Sequence, residues 1–133
     1  MAGLITSPRR LLVAALILVA GIGALLVARD QPAGAASGKT LKLSADPKGK
    51  LRFNTTKLTT THGRVTIVMT NPKSSGIPHA IAVQGNGLDK DGKPAKPGAT
   101  SQVTVTLKKG TYNFYCPVDG HRAAGMKGKL VVG

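Results

Sequence analysis

Short runs of β-branched and aromatic residues, each followed by turn-forming residues, are the feature that most restricts how this chain can fold. The clearest runs are 65–70 and 103–107, and the second alternates strictly between apolar and polar side chains, as a half-buried strand does. Shorter runs occur at 41–43, 81–83, 112–115 and 129–132. No window has the 3.6-residue apolar period of an amphipathic helix. Six to eight short strands predict an all-β fold, either a β-sandwich or a small barrel.

The stretch between two of these runs, residues 85–100, is rich in Asn, Asp, Lys, Pro and Gly and predicts a long polar connection. Within it, Asp89-Lys90-Asp91-Gly92 has the beginning of a calcium-binding loop. The closing Glu of such a loop is missing, so we interpret this segment as a plain turn.

The first 35 residues differ in character from the rest. Arg9 and Arg10 precede the run 11–27, which contains no charged or polar side chain, and Ala33-Gly34-Ala35 follows. A basic start, an apolar middle and an Ala-x-Ala end are typical of a secretory signal peptide. The run is also almost long enough to cross a membrane. We expect residues 1–35 to be a signal peptide or an uncleaved membrane anchor, and residues 36–133 to be one domain working outside the cytoplasm, in the periplasm, at the cell surface or secreted.

The strong positive charge is spread over the whole domain and is not concentrated at one site. The chain has 19 Lys and Arg residues against 5 Asp and Glu, a formal net charge of +14. Most of the basic residues are single lysines spread from Lys39 to Lys129. Two Tyr, two Phe and no Trp offer little for base stacking, so we expect no nucleic-acid partner. The single cysteine excludes an intramolecular disulfide and every Cys-rich zinc module.

Four residues with metal-binding side chains have a suggestive spacing. Cys116 lies five residues before His121, which lies five before Met126. Strand periodicity places Cys116 on the same face as two aromatic residues of the run before it, and His79 on the face of the apolar residues after it. We therefore expect a histidine and the cysteine at the rim of the core, with the loop 116–126 bringing the other two residues over them.

This set of side chains favours one kind of site over two others. Two imidazoles, a thiolate and a weak axial thioether are the ligands of blue-copper electron-transfer sites. Zinc sites seldom use Met. A catalytic cysteine would need a base and an orienting group, and only Asp119 is near in sequence. The remaining histidine, His62, is expected in a surface turn.

These residues resemble the cupredoxin family, which includes plastocyanins, azurins and rusticyanins. The resemblance covers about residues 40–133 and is carried by Tyr-x-Phe-Tyr-Cys-x₄-His-x₄-Met with Gly128-Lys129-Leu130-Val131-Val132 after it. It implies a Greek-key β-sandwich and one type 1 copper, cycling between Cu(I) and Cu(II). It also implies one-electron transfer between a redox-protein donor and acceptor. The copper ligands implied are His79, Cys116, His121 and Met126, with Met126 axial.

One position departs from the family pattern, and several others imply how partners dock. Many cupredoxins have Asn or Ser after the first His, where this chain has Ala80. The resemblance implies an apolar patch around the exposed edge of His121. We expect basic residues, including Arg122, to rim this patch and steer an acidic partner, and we expect the protein to be a monomer. The patch residues would be Ile77, Pro78, Pro117, Val118, Ala123 and Ala124.

Two other functions remain to be weighed. A copper-binding protein for metal delivery or storage would usually expose several Met or His residues, and Met is scarce here. Copper enzymes of this kind often have His residues beside the cysteine, where this chain has Tyr115 and Pro117. We therefore expect an electron carrier and no enzyme activity.

Overall fold

The computed structural model describes residues 38–133, which form two β-sheets packed face to face. The expected signal peptide or anchor, including the run 11–27, lies outside the described residues. Within residues 38–133, no helix has the length and apolarity needed to cross a membrane. The eight strands are, in chain order, β1 (Lys39–Ser44), β2 (Lys57–Thr60), β3 (Gly63–Thr70), β4 (Ala82–Gly85), β5 (Leu88–Asp91), β6 (Thr100–Leu107), β7 (Gly110–Tyr115) and β8 (Lys127–Val132).

The strands are distributed between the two sheets so that the chain crosses repeatedly from one sheet to the other. One sheet has the order β1-β3-β6 and the other β2-β8-β7-β4-β5. β1 pairs with β3 in parallel, as β2 does with β8, and the remaining pairs are antiparallel. The all-β sandwich expected from the sequence is confirmed.

Strict alternation in β3 and β6 explains how one face of the smaller sheet becomes core. Val65 lies opposite Val105 and Ile67 opposite Val103, and all four side chains are buried. The neighbouring outward pair, Thr66 and Thr104, is joined by a hydroxyl hydrogen bond of 2.9 Å. Apolar residues of both sheets meet in one core, which includes Phe114 and Leu130 from the larger sheet.

The interpretation of residues 85–100 as a connection without strands is wrong. Leu88–Asp91 forms β5, which pairs antiparallel with β4, so Asp89-Lys90-Asp91 lies in a strand and not in a turn. The hairpin turn is Asn86-Gly87, and both residues have positive φ, 51° and 79°. Asn-Gly is the usual sequence for such a two-residue turn, because both residues tolerate this backbone conformation.

Candidate metal centre

Cys116 lies directly after β7, at the end of that strand's inward-facing row. Tyr112, Phe114 and Cys116 are all buried, with exposed fractions of 3%, 0% and 0%. Phe114 packs against Phe53 from the opposite side of the core, with ring centroids 5.7 Å apart. The predicted strand phase is therefore correct, and the thiol lies at the rim of the sandwich.

His79 lies three residues before β4 and is fully buried. Its backbone forms an isolated antiparallel bridge with Ala95: the His79 amide donates to the Ala95 carbonyl at 3.1 Å, and the reverse bond is 2.8 Å. Neither Nδ1 nor Nε2 of the His79 ring has a hydrogen-bond partner. A buried polar atom without a partner is costly, about 1–3 kcal/mol. The ring is therefore arranged for a ligand that protein atoms do not supply.

Backbone hydrogen bonds close the loop 116–126 and set its residues beside one another. The Cys116 amide donates to the Met126 carbonyl at 3.0 Å, and the Met126 amide donates to the His121 carbonyl at the same distance. The Met126 side chain is fully buried in the same core cluster as Cys116. His121 itself is half-buried. The loop thus brings three of the four predicted residues together.

The fourth predicted residue, His79, meets this loop across the rim. The metal-binding atoms of His79, Cys116 and His121 lie within 4.8 Å of one another. The distance from Cys116 Sγ to His121 Nδ1 is 3.4 Å, and the two imidazole centroids are 5.0 Å apart. One thiol, two imidazoles and a buried thioether fit copper, since soft sulfur suits Cu(I) and imidazole suits Cu(II). The donor set is positioned as in a type 1 copper site.

Burial controls the protonation of these groups before any metal binds. It raises the pKa of the Cys116 thiol, although the backbone amides of Ala80 and Val118 oppose the shift. It lowers the pKa of His79, with a smaller effect from His121, and it lowers the pKa of His121. Burial therefore favours the neutral form of both imidazoles, which is the form that binds a metal. The thiol must release its proton when a cation arrives.

Several polar residues that support the site were missed from the sequence. Asn71, fully buried, bonds to both segments that flank His79, and Ser75 donates to its side-chain oxygen. Ser101 Oγ, on β6, accepts a hydrogen bond from the Ile81 amide at 3.2 Å. Asn71-Pro72 is typical of a turn and gave no sign of this role. The Asn71 contact with Ala95 joins residues 24 positions apart, which sequence patterns do not reveal.

The six residues predicted to form an apolar patch around His121 differ in exposure. Pro117, Val118 and Ile77 are half-buried, whereas Pro78, Ala123 and Ala124 are exposed. Arg122 lies over the ring of Tyr115, at 4.0 Å from its centroid, and donates to Gln84 at 2.8 Å. His62 is exposed and hydrogen-bonds to the carbonyl of Gly133, outside the cluster.

Comparison with known proteins supports the fold and copper binding. A family model described as copper binding proteins of the plastocyanin/azurin family matches residues 39–133. Auracyanin A, a "blue" copper protein from the green thermophilic photosynthetic bacterium Chloroflexus aurantiacus, is 28% identical. That match covers 72% of this chain and 99% of auracyanin A, with a TM-score of 0.58. Auracyanin from Roseiflexus castenholzii is 22% identical over 72% of this chain and 98% of its own, with a TM-score of 0.63.

A copper enzyme has the same fold in part of its chain. Copper nitrite reductase from Nitrosomonas europaea is 26% identical, with a TM-score of 0.58, over 70% of this chain but only 40% of the reductase. No curated protein sequence matches. The match of the family model to most of the chain, on a sandwich with this donor set at its rim, shows that the chain belongs to the plastocyanin/azurin family of copper-binding proteins.

Proposed function

We propose that this protein carries single electrons between redox partners through one type 1 copper, held by His79, Cys116, His121 and Met126, with Met126 as the axial ligand. The observation that supports it most directly is the meeting of three metal-binding atoms within 4.8 Å, one of them on a buried imidazole with no other partner. Bound copper would supply reversible one-electron chemistry, Cu(I) to Cu(II).

The protein's contribution is to keep the copper ligands rigid and shielded from solvent. His79, Cys116 and Met126 are fully buried, so water has no access to them from the core side. The Ala80 amide donates to Cys116 Sγ at 3.3 Å, which fixes the orientation of the sulfur and stabilises its negative charge. Ligands that move little when the charge changes keep the reorganisation barrier low. The half-buried His121 is the ligand with access to the surface, and electrons would pass through its edge.

The first experiment tests the ligand set. Cu(II) added to the purified protein should give an intense visible thiolate-to-copper absorption, and Cys116→Ser should abolish it. His62→Ala is the matched control, because His62 is exposed and outside the cluster; its variant should keep the colour. A colourless, redox-silent copper complex would contradict electron transfer and favour copper delivery or storage.

We further propose that an acidic redox partner docks at the apolar surface around His121. The cleft lined by Pro117, Val118 and Ala123 has both acidic and basic side chains, namely Asp91, Asp119, Arg122 and Lys127. A second cleft of about 580 Å³, which shares two of these basic residues, is lined by three basic side chains and no carboxylate. The three are Arg122, Lys127 and Lys129. Lys127 follows Met126 directly, so positive charge lies close to the proposed electron exit. Such a surface steers an anionic partner at low ionic strength.

Hexacyanoferrate(III) is a suitable anionic probe for this surface. Oxidation of the reduced protein by this anion should slow at low salt when Lys127 and Lys129 are both changed to Glu. Lys108→Glu with Lys109→Glu is the matched control, with the same change in net charge. These lysines precede β7, at the strand end away from Cys116. Equal slowing by both pairs would mean that overall charge, and not this surface, controls the reaction.

Three expectations remain: export, which the N-terminal sequence indicates, a monomeric state, and the lack of enzyme activity. We propose that residues 36–133 work outside the cytoplasm as a monomer without enzyme activity. The nitrite reductase match spans only 40% of that enzyme, and among residues 38–133 one cluster suited to a metal is found. Mass spectrometry of the exported protein distinguishes cleavage after Ala35 from an uncleaved, membrane-retained chain.

A further inference from the structure

Asn71 directly follows β3 and is a fully buried polar residue with every side-chain hydrogen-bonding group occupied. Its Nδ2 donates to the carbonyls of Ile77 and Ala95, both at 2.9 Å. Its Oδ1 accepts from Ser75 Oγ at 2.6 Å. A buried amide that is completely satisfied acts as a rigid junction, because moving any one partner leaves a polar group without a bond.

The segments that meet at Asn71 are those that hold His79. Ile77 lies two residues before His79 on the same loop, and Ala95 forms both backbone hydrogen bonds with His79. The carbonyl of Ala95 therefore accepts from the His79 amide and from Asn71 Nδ2 together. The backbone of Asn71 adds two more bonds, to Ala99 at 2.9 Å and from Gly98 at 2.7 Å. Both sides of the His79 bridge thus depend on one side chain.

His79 needs this support because the sheet does not provide it. The His79–Ala95 pair is an isolated bridge, separate from the ladder that begins at Ala82. The next residue, Ala80, has no polar side chain, and its amide bonds to Cys116 and not to the His79 loop. The Asn71 junction consequently ties the His79 segment to the end of β3 on one side of His79, while Ser101 Oγ ties Ile81 to β6 on the other.

We propose that Asn71 is the positioning residue for His79, and that it sets the copper affinity and reduction potential of the site through the carbonyls of Ile77 and Ala95. The inference rests on the proposed function, since it assumes that His79 binds copper. The positioning itself is a property of the metal-free protein and is tested there separately.

Amide hydrogen exchange of the metal-free protein is the first test. In Asn71→Ala, the amides of His79 and Ala95 should exchange at least about tenfold faster, because two hydrogen bonds to this segment are lost. The amide of Ile67, in β3, should keep its protection. Ser75→Ala removes the hydroxyl bonds to Asn71 Oδ1 and to the Ile77 carbonyl but leaves both Asn71 Nδ2 bonds in place, and should give a smaller effect at the same two amides.

Copper binding is the second test. By competition with a Cu(I) chelator, Asn71→Ala should bind copper about 10–100-fold more weakly, the usual cost of losing a residue that orients a metal ligand. Its reduction potential and visible spectrum should also shift. Val65→Ala is the control for general loss of stability, since Val65 is fully buried in β3, six residues before Asn71, and is not among the metal-binding residues. It should leave affinity, potential and spectrum unchanged.

The possible outcomes separate the two hypotheses. If Asn71→Ala only lowers stability as Val65→Ala does, with unchanged exchange at His79 and unchanged copper affinity, Asn71 is a structural residue and the inference is wrong. If exchange at His79 and Ala95 rises but no coloured copper complex forms even in the wild type, the positioning stands and the proposed function fails. Should Asn71→Ala not fold, a wild-type-like site in Ser75→Ala overturns the inference and a graded loss supports it.

Discussion

A single methyl group added at Gly128 should destabilise this fold more than most surface substitutions. A Cβ built on Gly128 overlaps the Phe114 ring and lies 2.5 Å from the carbonyl oxygen of Thr56. Neither neighbour can give way: Phe114 is fully buried against Phe53, and the Thr56 carbonyl accepts from the Lys129 amide at 2.9 Å. Overpacking costs about 1–3 kcal/mol, and two fixed neighbours place Gly128→Ala near 3 kcal/mol.

Urea unfolding of the metal-free protein measures this cost. With a slope of about 1–3 kcal/mol per molar urea, the midpoint should fall by about 1–3 M. Gly38→Ala is the control, because a Cβ there meets only Arg64, at an ordinary 3.6 Å; it should change stability by less than about 0.5 kcal/mol. A loss below about 1 kcal/mol for Gly128→Ala would refute the reasoning.

A double mutant identifies Phe114 as the source of the effect. Phe114→Leu alone leaves a space in the core and should lower stability. In the Gly128→Ala background the smaller side chain makes room for the methyl, so the same change should be neutral or stabilising. The coupling between the two changes should reach about 1–3 kcal/mol. Additive losses would mean that the crowding lies elsewhere.

Three further predictions concern single charged or polar groups. The hydrogen bond from Arg52, 2.7 Å long, lowers the pKa of Asp46. The ionised Asp46 carboxylate therefore contributes its full stability at pH values above the unfolded pKa, and this contribution is lost as pH falls through the lower folded pKa. In acid unfolding, the stabilities of wild type and Asp46→Asn should converge below about pH 4. Burial, followed by the charge of Asp91, raises the pKa of Tyr115 to about 12; ultraviolet titration of Asp91→Asn should show ionisation at lower pH. Ala80→Ser or Ala80→Asn should shift the reduction potential in voltammetry, and an unchanged value would show that this position does not tune the site.

The strands that sequence patterns reveal are those with one clear inward face. β3 and β6 are rich in β-branched residues, and buried and less buried positions alternate along both, so both were predicted. β2 and β5 lie at the edges of the larger sheet and consist largely of Lys, Thr and Asp. An edge strand buries little apolar surface, and its periodicity is correspondingly weak. Whether an edge strand forms depends on the strand beside it. β5 forms because the Asn86-Gly87 turn brings it alongside β4.

The predicted site residues were recognisable for a chemical reason. Cysteine, histidine and methionine have side chains whose rarity and spacing carry information even without coordinates. The structure brings His79, Cys116 and His121 together and buries Met126 beside them. Asn71 is a common residue, and its importance comes only from where its three hydrogen-bond partners lie in space.

The two parallel pairings have a consequence for how the molecule folds. β2 pairs with β8 across most of the described chain, and β1 pairs with β3. Neither contact can form as a local hairpin, so both require closure of a long loop before they give any stability. Proteins dominated by such distant contacts fold in milliseconds to seconds. His79 and the loop 116–126 likewise belong to segments joined by the β4–β7 pairing. We therefore expect the complete donor set to form only once β4 and β7 have paired, so that Cys116 of an unfolded chain is accessible to oxidants and competing metals.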